Sequence, residues 1–107
     1  MRDTLIAVRT TRGRPQSLVL LTIDLRQEEN WWVGTCIELG TSSYAEALDD
    51  VRAEMADAIL LQLNEVERLG YMQEYLREHG VTEVKLPLDS HAPAQPQESW
   101  GLVGAEV

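Results

Sequence analysis

The chain has 107 residues, with 9 Lys plus Arg against 18 Asp plus Glu and a formal net charge of −9. That length bounds one domain, able to bury roughly 60–65% of its extended-chain surface without covalent staples, and the acidic balance argues against broad nucleic-acid binding. The single cysteine, Cys36, precludes an internal disulfide, and the apolar runs Leu5–Val8, Leu18–Leu21 and Ala58–Leu61 are too short to cross a bilayer, so a reducing, cytoplasmic location without membrane contact is expected.

Charge is unevenly distributed along the chain. Before Leu18 stand Arg2, Arg9, Arg12 and Arg14 with one acid, Asp3, a local net of +3 that leaves −12 on the remainder. Residues 1–17 therefore read as a basic arm, with Thr4–Arg9 as an optional short strand and Gly13 and Pro15 as a break. Such an arm can meet phosphate or a partner, or fold back on an acidic surface such as that of Glu54, Asp57 and Glu65. Four loosely spaced arginines against an acidic body make tight DNA binding doubtful.

Leu18–Leu25 and Trp31–Ile37 are rich in β-formers and flank the polar tip Arg26-Gln-Glu-Glu-Asn30, a hairpin with a loop of about four residues. With Arg26 opposite Trp31, one face carries Val19, Leu21, Ile23 and Leu25 together with Trp32, Gly34, Cys36 and Glu38. The small Gly34 and Cys36 let a helix approach that face, and Trp32 closes one end of the core. The opposite face carries Leu20, Thr22, Asp24, Arg26, Trp31, Val33, Thr35 and Ile37. It is half apolar, and one helix cannot cover both sides. Leu20, Trp31, Val33 and Ile37 are therefore the interface candidates, pointing to a homo-oligomer.

Gly40–Tyr44 is a possible third strand running into a long amphipathic helix, whose start lies between Ser43 and Ala47. Ser43 and Glu46 have capping-box spacing. Leu48, Val51, Met55, Ile59, Leu63, Val66 and Leu69 form one stripe at helical period, Asp49 and Asp50 complement the dipole at its start and Arg68 at its end, and Gly70 closes it in the left-handed conformation. Tyr71–His79 reads as a short second helix with Met72, Tyr75 and Leu76 on one side. Val81–Leu86 alternates as a returning strand, ended by Pro87. Residues 88–107 read as a flexible Pro/Ala/Gln tail in which Trp100, Leu102 and Val103 can dock. The fold class is α+β, an antiparallel sheet of three or four strands packed on one long helix, with residues 18–87 as the domain.

The segment Trp32-Val-Gly-Thr-Cys-Ile-Glu-Leu-Gly40-Thr-Ser-Ser-Tyr44, the Leu-rich helix ending in Leu69-Gly70, and Tyr75-Leu-Arg-Glu-His-Gly-Val81 together resemble the HicB-like antitoxin family. The resemblance spans Leu18 to about Leu86. It implies a truncated ribonuclease-H-like arrangement and a protein that neutralises a small RNA-cleaving HicA-type toxin. The turn before the helix departs from the family's usual Gly-Asp-Thr or Gly-Asp-Ser, reading Ala45-Glu46-Ala47. The stretch after Pro87 lacks the length and periodicity of the DNA-binding domain that many relatives append.

A ribonuclease-H-like enzyme needs carboxylates converging on divalent metal, which brings Asp24, Glu38 and Asp49 or Asp50 into consideration. By the hairpin register Asp24 and Glu38 point to opposite faces, so no catalytic, metal or cofactor site is expected. Cys36 reads as a buried small side chain, and His79 and His91 lack ligand spacing. The expected function is non-enzymatic protein binding of the antitoxin type, with a stand-alone HicB-like oligomerisation module as the alternative.

Overall fold

The computed structural model describes residues 1–86 and 98–102. Six strands and two helices follow one another as β1 (Arg2–Thr11), β2 (Arg14–Glu28), β3 (Trp31–Cys36), β4 (Ser42–Ala45), α1 (Leu48–Leu69), α2 (Met72–Glu78), β5 (Glu83–Lys85) and β6 (Glu98–Leu102). All pairings are antiparallel, in the order β4-β3-β2-β1-β6, and β5 lies beyond β3 along the same edge of β2. The class is α+β, with a sheet wider than the expected three or four strands.

The extra width comes from both ends of the chain. Residues 1–17 are not a free arm: Arg2–Thr11 pairs with β2 along its whole length, and Arg12 (φ 55) and Gly13 (φ 78) make the two-residue turn between them. Positive φ at both central positions gives a turn whose twist matches that of the strands, and glycine supplies one of them without strain. The expected break at Pro15 is instead a local irregularity, since the register shifts between Arg9 and Thr10 where Thr10 faces Pro15. At the other end Glu98–Leu102 pairs with β1, which buries Trp100 within a stretch expected to be a flexible tail. Val103 and His91 lie outside the described residues.

The β2–β3 hairpin turns in two residues, Glu29 and Asn30, because β2 runs on to Glu28 and pairs there with Trp31. Arg26 consequently faces Val33 and not Trp31. A shift of two residues preserves the alternation of side chains, so within the paired strands both faces keep their expected members despite the wrong register; Glu38, beyond the end of β3, is the exception. Val19, Leu21, Ile23, Leu25 and Cys36 are buried beneath Val51, Met55, Ile59, Leu63 and Val66 of α1. Each fully buried aliphatic side chain contributes about 1.5–3 kcal/mol of transfer free energy. At Gly34 the sheet and helix approach closely, for a Cβ there would stand 2.9 Å from Met55 Cγ.

The helix begins at Leu48, and its N-cap Ala47 makes no side-chain cap, so the Ser43–Glu46 capping box is not used. Ser42–Ala45 is drawn into the sheet by β3, which takes Ser43 away from the helix end. At the far end Gly70 (φ 87) donates its N–H to Val66 and Glu67 carbonyls at 3.0 and 3.1 Å, closing the helix as its sequence requires. Leu69, expected on the stripe, is exposed.

Candidate functional site

Register alone assembles a polar cluster on the inner, helix-covered face. Arg9 stands between Ser17 on β2 and Trp100 on β6, while β5 sets Glu83 opposite Val19. From above, α1 lowers Glu67, whose carboxylate accepts both Arg9 Nε (2.9 Å) and a terminal Arg9 nitrogen (2.8 Å). Arg9 also reaches Glu83 at 3.3 Å, Ser17 Oγ donates to the same Glu83 oxygen, and Trp100 Nε1 donates to Glu67 Oε1 at 3.0 Å. The guanidinium carbon lies 5.9 Å from the Trp100 ring centre. Side-chain exposure of Arg9, Glu67 and Glu83 is only 13%, 13% and 8%, and a buried charge is tolerated when it is paired and hydrogen-bonded like this. Arg9 therefore leaves the list of available basic residues, and its acid partners include Glu67 and Glu83, not Glu54, Asp57 or Glu65 as expected. Arg2 pairs with Asp24 at 3.5 Å, and Arg12 is exposed in the first turn.

The interface candidates share the outer face but spread along it: Leu20 pairs with Ile6 while Trp31 pairs with Glu28 at the far end of β2. Leu20, Trp31 and Ile37 are 52%, 41% and 49% exposed, and Val33 is half-buried on the same face. No helix among the described residues covers this side. β4 adds Tyr44 beside Val33, and the Trp31 and Tyr44 rings meet edge to face at 5.4 Å with an interplanar angle of 75°. Around them is a shallow cleft of about 590 Å³ lined by Glu28, Glu29, Trp31, Val33, Ser42, Ser43 and Tyr44. Glu29 holds φ 55, a left-handed conformation that costs a non-glycine residue about 1–2 kcal/mol, at the turn beside this cleft.

The two sheet edges differ. On β6 the Trp100 N–H donates to Asn64 Oδ1 (2.8 Å) and the Trp100 carbonyl accepts Asn64 Nδ2 (3.3 Å), so an α1 side chain covers the edge. On β4, Cys36 N–H donates to Thr41 O at 2.7 Å, and alternation of the antiparallel ladder then turns the main-chain groups of Ser42 and Tyr44 outward. Tyr44, Glu28 and Glu29 were not candidates from sequence. Their signal was present, since two acids sit directly across a tight turn from Trp31, but a four-residue loop would have kept them apart.

The carboxylates considered for metal chemistry go separate ways. Asp24 pairs with Arg2 and Arg26, Asp49 stands 4.0 Å from Arg52, and Asp50 is exposed. Glu38 does not continue the inner face, because β3 ends at Cys36. Its carboxylate instead accepts the Thr22 N–H (2.8 Å) and Thr22 Oγ1 (3.0 Å), serving β2 in the gap between β3 and β5. No group of three or more His, Cys, Asp or Glu placed to hold a metal occurs among the described residues. Cys36 is buried, and burial pushes its thiol above the ordinary value. Nearby, Thr41 Oγ1 donates to Gln62 Oε1 at 2.5 Å, Gln62 Nε2 bonds Tyr75 Oη, and His79 Nδ1 lies 3.1 Å from Glu38 O. That set ties the β3–β4 connection to both helices. Burial raises the Tyr75 hydroxyl above its usual range, while the Gln62 hydrogen bond works against the rise.

No helix of the described residues is long and apolar enough to cross a membrane. No protein-family model, curated protein or solved structure matches the chain.

Proposed function

We propose that this chain is a HicB-type, non-enzymatic binding protein that neutralises a small basic HicA-type toxin by occluding its RNA site, in a reducing compartment. The observation that carries the reading is the outer face of the sheet, uncovered among the described residues and bearing exposed Leu20, Trp31, Ile37 and Tyr44 with carboxylates at one end. A net charge of −9 favours encounter with a basic partner and disfavours RNA as a ligand. An antiparallel β1–β2–β3 meander with a helix on one face also supports the ribonuclease-H-like relation proposed with it. The test is a search beside its gene for a basic, toxin-sized reading frame, followed by co-expression of the two; absence of such a frame counts against the reading. Relief of growth arrest, lost in Trp31→Asp, is expected. Arrest that persists with the wild-type chain at matched expression overturns the reading.

A second reading, a stand-alone module that self-assembles, is favoured by the apolar row that Leu20 and Ile37 make with exposed Val84 away from the acidic end. It requires a multimer at tens of micromolar in sedimentation. A strict monomer removes it.

A further inference from the structure

The geometry points to the corner between Trp31 and Tyr44 as a receptor for a guanidinium group, the arginine side chain of a basic protein partner. The inference rests on the proposed binding of a basic protein and names the contact that would hold it.

The two rings meet edge to face, with planes inclined at 75° and centres 5.4 Å apart, and both residues are substantially exposed. An aromatic face carries negative potential and attracts a cation within about 6 Å of its centre. Glu28 and Glu29 line the same cleft, and no Lys or Arg lies among the residues lining it. Arg26, the nearest cation along β2, is engaged with Asp24 at 3.6 Å and Glu28 at 3.2 Å. Glu29 makes no ion pair among the described residues.

The protein's own interior contains the occupied form of this arrangement. There Arg9 lies 5.9 Å from the Trp100 ring centre and is held by Glu67 and Glu83. The outer corner offers an indole and the carboxylate of Glu29, which no internal arginine takes up, while Glu28 is shared with Arg26. Arginine suits it better than lysine because a planar, weakly hydrated guanidinium stacks on a ring while its edge donates to a carboxylate. The exposed main-chain groups of Ser42 and Tyr44 beside the corner give a partner segment a second, backbone-directed hold.

The experiment is a titration of the full chain, labelled with nitrogen-15, with the peptide acetyl-Gly-Arg-Gly-amide, followed by its amide and indole resonances. Saturable movement of the Trp31 indole and Tyr44 amide signals is expected, with the Trp100 indole unmoved. The citrulline counterpart, which keeps the shape and loses the charge, should bind at least about threefold more weakly. Glu29→Gln and Tyr44→Ala should each weaken the arginine peptide by about two- to fivefold. An unshifted Trp100 indole in each variant certifies the fold, and Glu29→Gln serves alone should Tyr44→Ala disturb it. Absence of movement at Trp31, or equal affinity for arginine and citrulline, overturns the proposal. Choline binding at least as tightly as the peptide would assign the corner to a free cation and overturn it as well. Arginine binding by a chain that relieves no toxin defeats only the toxin reading. Relief that survives in a Glu29→Gln, Tyr44→Ala double variant defeats only the corner.

Discussion

The two faces of the sheet hold similar side chains in opposite circumstances. Inside, an indole, two carboxylates and an arginine are brought together from β1, β5, β6 and α1 and largely shielded from water. Outside, Trp31, Tyr44, Glu28 and Glu29 come from one hairpin and its neighbour and remain open. Energetics follow from burial more than from residue type. An ion pair inside is costly to break because the surviving charge has no water, whereas an exposed pair is screened and worth about 1 kcal/mol or less.

The largest effect should come from breaking the inner cluster. Arg9→Met takes the Arg9 charge away from the shielded Glu67 and Glu83 and should destabilise by about 3 kcal/mol, while Arg26→Met on the outer face should cost less than about 1 kcal/mol. Urea unfolding followed by circular dichroism measures both, and equal losses would erase the distinction between the faces. Next come the adjacent tryptophans. Trp32 packs against the core and Trp31 does not, so Trp32→Asp should cost roughly 3 kcal/mol of stability, and Trp31→Asp should leave the melting temperature nearly unchanged while weakening association. Sedimentation beside thermal melting separates those outcomes.

Closer to the helix contact, Gly34→Ala should destabilise by about 1–3 kcal/mol, since the added methyl drives Met55 out of its place. A Met55→Ala background should recover part of that loss, and an unaltered denaturation midpoint for Gly34→Ala would mean the core yields freely there. The smallest effect is alkaline. Tyr75 has its hydroxyl raised above 10.0 by burial first, against the Gln62 hydrogen bond. The folded state then holds this proton longer than the unfolded state, so the associated stability is intact below pH 10 and falls as pH rises through the folded value. Urea midpoints at neutral and alkaline pH should diverge in the wild type and diverge less in Tyr75→Phe, the buried Cys36 thiol contributing in the same direction in both.

Local periodicity determined a good deal of this protein. The α1 stripe, its end at Gly70, the burial of Met72, Tyr75 and Leu76, and the outward direction of Leu20, Trp31 and Ile37 all follow from spacings of two or three to four residues. Even the misplaced hairpin register left the faces correct, because a slip of two residues conserves parity. Glu38 was misassigned at the one place where parity ceases to apply, one turn beyond the end of β3.

Tertiary structure alone decided what became of the ends of the chain. Arg9 meets Glu67 across 58 positions and Glu83 across 74, and Trp100 is held by Asn64 across 36, separations at which no local pattern carries information. A basic segment and the Glu98–Leu102 stretch look solvated until a sheet edge offers them hydrogen bonds and a helix offers a carboxylate. The Trp31–Tyr44 corner has a more local origin: the short connection after β3, closed by the Cys36 and Gly40 main-chain hydrogen bonds, folds β4 back on β3 and sets Tyr44 opposite Val33. Side-chain period is written locally in a chain, whereas a cluster of charges depends on which distant strands become neighbours.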